Sequence, residues 1–412
     1  MQSQPISTAP SVAEASPSPY AWKALAGAAI GYAMDGFDLL ILGFMLPAIS
    51  AALALDSSQS GALVTWTLIG AVAGGIVFGA LSDRYGRVRV LTWTIVLFAV
   101  FTGLCAFARG FHELLVFRTI AGIGLGGEFG IGMALAAEAW PAGKRGRVSS
   151  YVALGWQAGV LMAALLTPLL LPVVGWRGMF LIGVIPAFVA WFIRNRLHEP
   201  EVFVRRAPVP NAFRLLVADR RTTATSVGIV ILCAVQNFGY YGIMIWLPTY
   251  LSRTLGFSLT RSAMWTSVTI VGMMIGICVF GHLADRIGRK PAFLLFQAGA
   301  VIMVIAYAQL SDPMTMLWAG AVMGMFVNGM IGGYGALISE AYPTAARATA
   351  QNVLFNLGRA VGGLGPIVVG TLAATYSFQL AIALLAGIYV IDMLATLFLI
   401  PELRGIELDQ AR

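Results

Sequence analysis

"GALSDRYGRVRV", residues 79–90, returns as "GHLADRIGRKPA", residues 281–292, an offset of 202. Each copy sets a tight cluster of charge, G-x-L-[SA]-D-R-x-G-R, between two long apolar runs. A second element repeats at the same spacing: "EAWPAGKRG" from Glu138 comes back as "EAYPTAARA" from Glu340. Leu46-Pro47 and Leu247-Pro248, and "EPE" (199–201) and "IPE" (400–402), recur at an offset of 201. Pairs kept in register across the chain mean that it is built as two copies of one unit.

Composition says what the unit is made of. Of 412 residues, 59% are hydrophobic and only 11% charged, where a soluble protein carries about 25% charge. A helix crosses the ~30 Å hydrocarbon layer with ~20 apolar residues. Twelve such runs can be read, beginning near Trp22, Gly61, Val88, Phe111, Val148 and Met179, then near Thr225, Ser262, Pro291, Met314, Thr349 and Phe378. The expected fold is an all-α membrane protein with twelve transmembrane helices in two six-helix pseudo-repeats. Residues 1–20 read as a disordered tail, 21–194 as one bundle, 195–221 as a basic linker, 222–400 as a second bundle and 401–412 as a tail. The first 19 residues hold no Lys or Arg and no apolar core, so they do not read as a signal peptide.

Of the 26 Lys and Arg, twenty fall in the tails, the linker and the junctions of one side; only Arg109, Arg177, Arg253 and Arg261 fall on the other. That bias places both termini in the cytoplasm, in the plasma membrane or the bacterial inner membrane. The net charge of +8 is then topology, and no nucleic-acid partner is expected. Cys105, Cys233 and Cys278 lie singly in apolar runs with no metal-ligand spacing, and read as packing residues. The histidines fall at span ends, and no Ser/His/Asp or HExxH constellation occurs, so the chain does not read as an enzyme. "GIGLGGEFG" (122–130) has G-x-G-x-x-G spacing, but inside a span and with no preceding strand it is a packing surface, not a nucleotide loop.

The duplicated G-x-L-[SA]-D-R-x-G-R element resembles the signature of the major facilitator superfamily, over essentially the whole chain. The resemblance implies a latch between the halves that stabilises one access state. Its expected members are Gly79, Asp83, Arg84, Gly86, Arg87, Glu138 and Arg145, with Gly281, Asp285, Arg286, Gly288, Arg289, Glu340 and Arg347. Asp83 and Asp285 stand where carboxylates can meet helix N-termini. Arg84, Arg87, Arg286 and Arg289 can pair with Glu138 and Glu340 or bind anionic lipid.

Polar residues deep in the spans are the candidates for chemistry, because a charge there costs ~2.5–3.5 kcal/mol on insertion scales. "GYAMDGFDLLILGF" (31–44) sets Asp35 and Asp38 a turn apart, ~20 Å into its helix. Glu128 and Arg118 lie in the fourth run. Arg359 lies near mid-helix in "QNVLFNLGRAVGGLGP" with Asn352 and Asn356 on its face; its repeat partner is Gln157, beside Trp156. Its planar fork suits a carboxylate. Gln236, Asn237 and Tyr240 in the seventh run, and Asn328 and Tyr334 in the tenth, complete the candidate lining. Asp392 in the last run reads as a helix–helix hydrogen bond. An acid whose arginine moves away between access states changes its proton affinity. Asp35, Asp38, Glu128 and Arg118 are therefore the proton-coupling candidates, leaving open whether Arg118 or Arg359 is the partner.

"DGFD", "GGEFG…EAWP…RG" and "YPT…R…NLGR" resemble the proton-coupled carboxylate symporters, sialate and lactate–pyruvate carriers foremost, aromatic-acid carriers next. The resemblance implies symport of protons and a small organic monocarboxylate, driven by the proton gradient without a cofactor, by a monomer in the lipid bilayer. An aromatic-acid carrier, an exporter and a ligand-sensing receptor are the alternatives.

Overall fold

In this computed structural model, residues 16–204, 211–256 and 259–405 are described. Most of the N-terminal tail, six residues of the linker and residues 406–412 lie outside them. Helix α1 (Pro19–Leu53) starts where the Ser18 hydroxyl accepts the Ala21 N–H, satisfying a donor that the first turn leaves unpaired. Asp56 and Gln59 form a capping box at the start of α2 (Ser57–Tyr85). Then come α3 (Arg87–Cys105) and α4 (Phe111–Ala139), the latter interrupted near Gly127.

The next apolar helix, Ala142–Ile185, runs for 44 residues, or ~66 Å, twice the hydrocarbon thickness. Gly175, with φ 65° and ψ 175°, breaks it where only glycine is unstrained. The break yields α5 (145–174) and α6 (176–194). The second half follows with α7 (Arg220–Leu255), α8 (Leu259–Ile287), α9 (Arg289–Ala308), α10 (Pro313–Ala341), α11 (Arg347–Ala373) and α12 (Phe378–Leu399). The twelve-helix expectation therefore holds. Two short turns, Glu201–Val204 and Ala212–Val217, lie along the linker.

Large apolar side chains such as Trp22, Val173, Phe188 and Phe398 are exposed, while Asp35, Arg87, Arg118, Glu128 and Arg347 are buried. The polarity of a soluble protein is thus inverted, as lipid requires. Helix α1 packs on α5 and α2 on α4; α8 packs on α10 and α9 on α12. The halves meet chiefly through α5 against α8 and α2 against α11.

Each half also closes on itself. Glu199, after α6, accepts the N–H groups of Arg87, Val88 and Arg89 at the start of α3. Glu402, after α12, does the same for Arg289 and Lys290 of α9. Gly86 (φ 117°) and Gly288 (φ 107°) make the turns beneath these caps, and a Cβ at either would strike the capping carboxylate.

Candidate transport site and the latch between the halves

Charges from both halves converge at one end of the molecule. Asp83 of α2 accepts Arg87 Nη1 at 2.6 Å, and takes the Thr349 N–H at 2.7 Å and hydroxyl at 2.6 Å from the first turn of α11. Arg87 Nη2 donates to Glu138 at 3.0 Å and to the Thr344 carbonyl at 2.8 Å. Glu138 in turn receives Arg347 Nη1 from the other half at 2.8 Å. The second copy repeats the plan. Asp285 of α8 accepts Arg289 Nη1 at 2.8 Å and the N–H groups of Gly146 and Arg147, at the start of α5, at 2.8 and 3.1 Å. Arg289 Nη2 reaches Glu340 at 2.7 Å, with Arg145 4.0 Å away across the interface. Each half thus uses a carboxylate to cap a helix of the other, where unpaired N–H groups favour negative charge.

Two expected members behave otherwise. Arg84 and Arg286 are exposed, Arg84 lying over the Tyr85 ring at 5.3 Å. One position after the aspartate faces away from the partner half, whereas four positions after it faces inward. Deeper in, Asn352 of α11 sits against Gly79 and Gly130, and Ser150 of α5 against Gly281 and Gly332. Side chains at those glycines would overlap the plug from the other half.

A central cavity, nearly closed, lies between the halves. Tyr32 and Trp156 line it from the first half; Gln236, Asn237, Tyr240, Tyr241, Asn328, Ile331, Phe355 and Arg359 from the second. Arg359, 5% exposed, donates from Nε to the Tyr241 hydroxyl at 3.2 Å and stacks over the Trp156 ring at 5.3 Å. Its Nη1 lies 3.8 Å from Asp35, and Nη2 has no hydrogen-bond partner among the described residues. Trp156 donates to the Tyr240 hydroxyl at 3.3 Å across the interface. Gln236 donates to Asn328 at 2.7 Å.

The two aspartates of α1 have different partners. Asp38 accepts both Arg118 nitrogens, at 2.9 and 2.7 Å, in a bidentate pair that is wholly buried. Asp35 touches Arg359 loosely, and its Oδ1 has no hydrogen-bond partner among the described residues. Glu128 accepts the Thr94 hydroxyl at 2.7 Å and does not border the cavity.

Three of the expected lining residues lie elsewhere. Tyr334 sends its hydroxyl to the Leu232 carbonyl at 2.9 Å and packs its ring on Phe293. Asn356 donates to the Asn352 carbonyl at 2.9 Å and lies against Gly75 of α2. Gln157 is fully buried beside Tyr240. A polar side chain on a membrane helix can bridge helices as readily as line a pocket; Tyr334 does so, from α10 to α7, whereas Asn356 bonds its own helix. Conversely, Tyr32, Ile331 and Phe355 were not expected on the wall, and Tyr241 stands there with Asn237, with which it shares a helix face. Tyr32 stands three residues before Asp35 and Phe355 four before Arg359, so helical spacing marks both. Asp392 is fully buried on α12 beside Gln297.

Two six-helix sets, a charge latch at one end and a polar cavity between them define a membrane transporter rather than an enzyme. The family description "Major Facilitator Superfamily" matches residues 28–276 and 251–408, and the chain belongs to that family. A Haemophilus influenzae protein, described provisionally and with no substrate named as a metabolite transport protein, is 71% identical over 95% of this chain and 98% of its own. The sialic acid transporter NanX of Escherichia coli is 30% identical over 86% of this chain and 87% of its own length. The proton:xylose symporter XylE, at 19% identity, superposes with a TM-score of 0.81 over 96% of this chain and 99% of that one, which bears on the fold alone.

Proposed function

We propose that the chain carries a small organic monocarboxylate together with a proton by alternating exposure of the central cavity. One observation carries this reading: the Arg359 fork has an open edge at Nη2 while its other nitrogen holds Asp35 at only 3.8 Å. An incoming carboxylate takes the fork in charge-assisted, bidentate geometry. Asp35 then loses its cation, and a buried carboxylate without a partner is strongly disfavoured, so it takes a proton. Substrate and proton thus enter together, and the loaded site is as neutral as the empty one. Asp38, bidentate on Arg118, stays paired as a fixed strut.

The wall of Tyr32, Trp156, Tyr240, Tyr241 and Phe355 favours a flat, unsaturated or aromatic body over a bulky sugar acid. The cavity is nearly closed in this conformation, with about 10 Å³ of free space against the ~300–1,000 Å³ usual for ligand sites, so entry of a substrate requires the halves to part. Relatives named as transporters of niacin and of 4-hydroxybenzoate, both from Acinetobacter baylyi, support that preference. The charge bias of the loops supports a bacterial inner-membrane setting with the latch and both termini in the cytoplasm. A monomer suffices, and the proton gradient drives it without a cofactor.

Proteoliposomes with an inward proton gradient, offered labelled benzoate, nicotinate or lactate, test the reading. Accumulation with alkalinisation of the outside medium is expected. Binding without accumulation would indicate a receptor, and accumulation only under the reverse gradient an exporter.

A further inference from the structure

The Arg359 fork accounts for one polar edge of the cavity; a second edge is present and has no part in the carboxylate step. Gln236 of α7 and Asn328 of α10 are each 1% exposed, and both line the cavity. Their mutual hydrogen bond uses Gln236 Nε2 and Asn328 Oδ1, leaving Gln236 Oε1 and Asn328 Nδ2 without partners among the described residues. Flipping both amides exchanges the atoms but leaves the same inventory, one carbonyl acceptor and one NH₂ donor. Gln236 stands five residues, or ~7.5 Å of helix rise, before Tyr241, whose hydroxyl receives Arg359. Both edges line one cavity, with Tyr32, Trp156, Tyr240 and Phe355 on the same wall.

We infer that the Gln236–Asn328 pair is a second substrate subsite, reading a neutral far-end group that both donates and accepts a hydrogen bond, such as a ring hydroxyl or a lactam N–H and its carbonyl. This rests on the carboxylate reading of Arg359 and adds to it. A hydroxyl gives its proton to the free amide oxygen and takes the free NH₂. A second carboxylate has no proton to give, faces the amide oxygen with like polarity, and finds no cation but Arg359 among the described lining residues. A bare hydrocarbon end leaves both amide groups unmatched. Sites built this way discriminate against analogues lacking the polar group far more strongly than apolar pockets discriminate by size.

Binding of benzoate, 3- and 4-hydroxybenzoate and terephthalate to the purified full-length protein in nanodiscs tests the subsite. One of the hydroxybenzoates is expected to bind at least about tenfold tighter than benzoate, and terephthalate more weakly than benzoate. In the Gln236→Leu/Asn328→Leu variant the ratio of hydroxybenzoate to benzoate affinity should fall toward one. Equal binding of benzoate and both hydroxybenzoates, tighter binding of terephthalate, or a hydroxyl preference that survives in the variant would each overturn the inference and leave the Arg359 reading standing. If no member of the series binds to the wild-type protein, the carboxylate reading itself falls. Should the double variant fail to fold, the ligand series on the wild-type protein still decides.

Discussion

The latch and the cavity are built from overlapping sets of helices, yet one is duplicated and the other is not. Asp83, Arg87, Glu138 and Arg145 recur 202 residues on as Asp285, Arg289, Glu340 and Arg347, and the aspartate–arginine–glutamate contacts within each half are the same. Even the inner plugs match: Asn352 between Gly79 and Gly130 corresponds to Ser150 between Gly281 and Gly332. In the cavity the correspondence fails. Arg359 stands where the first half has Gln157, and Asp35 where the second half has Gln236 at an offset of 201. A latch that must seal both sides of a pseudo-two-fold axis gains from repetition. On the proposed reading, a site for one anion and one proton needs a single cation and a single loosely held acid, which would require the two copies to differ there.

The largest effect should fall on the unrepeated part. Removing one partner of a buried charge interaction costs about 2–5 kcal/mol, so Arg359→Ala should lower carboxylate affinity by about thirtyfold or more in a binding titration, and Arg359→Lys by less. Unchanged affinity in Arg359→Lys would return Arg359 to a structural role. The two aspartates then divide. Asp38→Asn strands the buried Arg118 cation and should lower stability by about 3–5 kcal/mol, visible in thermal unfolding. Asp35→Asn should leave unfolding nearly unchanged but abolish proton-driven accumulation while sparing exchange. Equal loss of both modes would sink the coupling role.

Smaller effects test how even the latch is. Glu138 holds its cross-interface arginine at 2.8 Å, whereas Glu340 has Arg145 at 4.0 Å. Glu138→Gln should therefore expose cysteines placed behind the latch to a thiol reagent more than Glu340→Gln does. Equal labelling would show that the tighter pair contributes no more. Least of all, Asn352→Ser copies one plug into the other socket and should shift the access equilibrium by about 1 kcal/mol or less, measured by the same labelling.

The repeated part was the part legible in sequence. Asp83, Arg87 and Glu138, with their counterparts, announce themselves because the same local motif occurs twice, and the span count follows from hydropathy alone. Pairings across helices were not legible. Nothing in "DGFD" says that Asp38 faces α4 while Asp35 faces α11, because a rotation set by packing decides which neighbour each meets. The same gap misplaced Tyr334 and Asn356, whose polar atoms found backbone carbonyls. It also hid Phe355, which carries no charge to attract notice. The order of the Glu caps was equally hidden: Glu199 precedes its proline and Glu402 follows its own, so the motif alignment matches the wrong glutamate.

The latch has one more consequence, for how the protein responds to voltage. The buried charges of each set cancel, Asp83 and Glu138 against Arg87 and Arg347, and Asp285 and Glu340 against Arg289 and Arg145; the partly exposed Arg147 is a further cation 3.4 Å from Asp285. A membrane potential does about 2.3 kcal/mol of work per elementary charge per 100 mV, but on a neutral cluster that swings apart with both signs in nearly equal measure it does almost none. The halves can part without the field opposing them or helping them. If the proposed one-to-one symport of a monoanion and a proton holds, transport should follow the pH difference across the membrane and ignore its voltage.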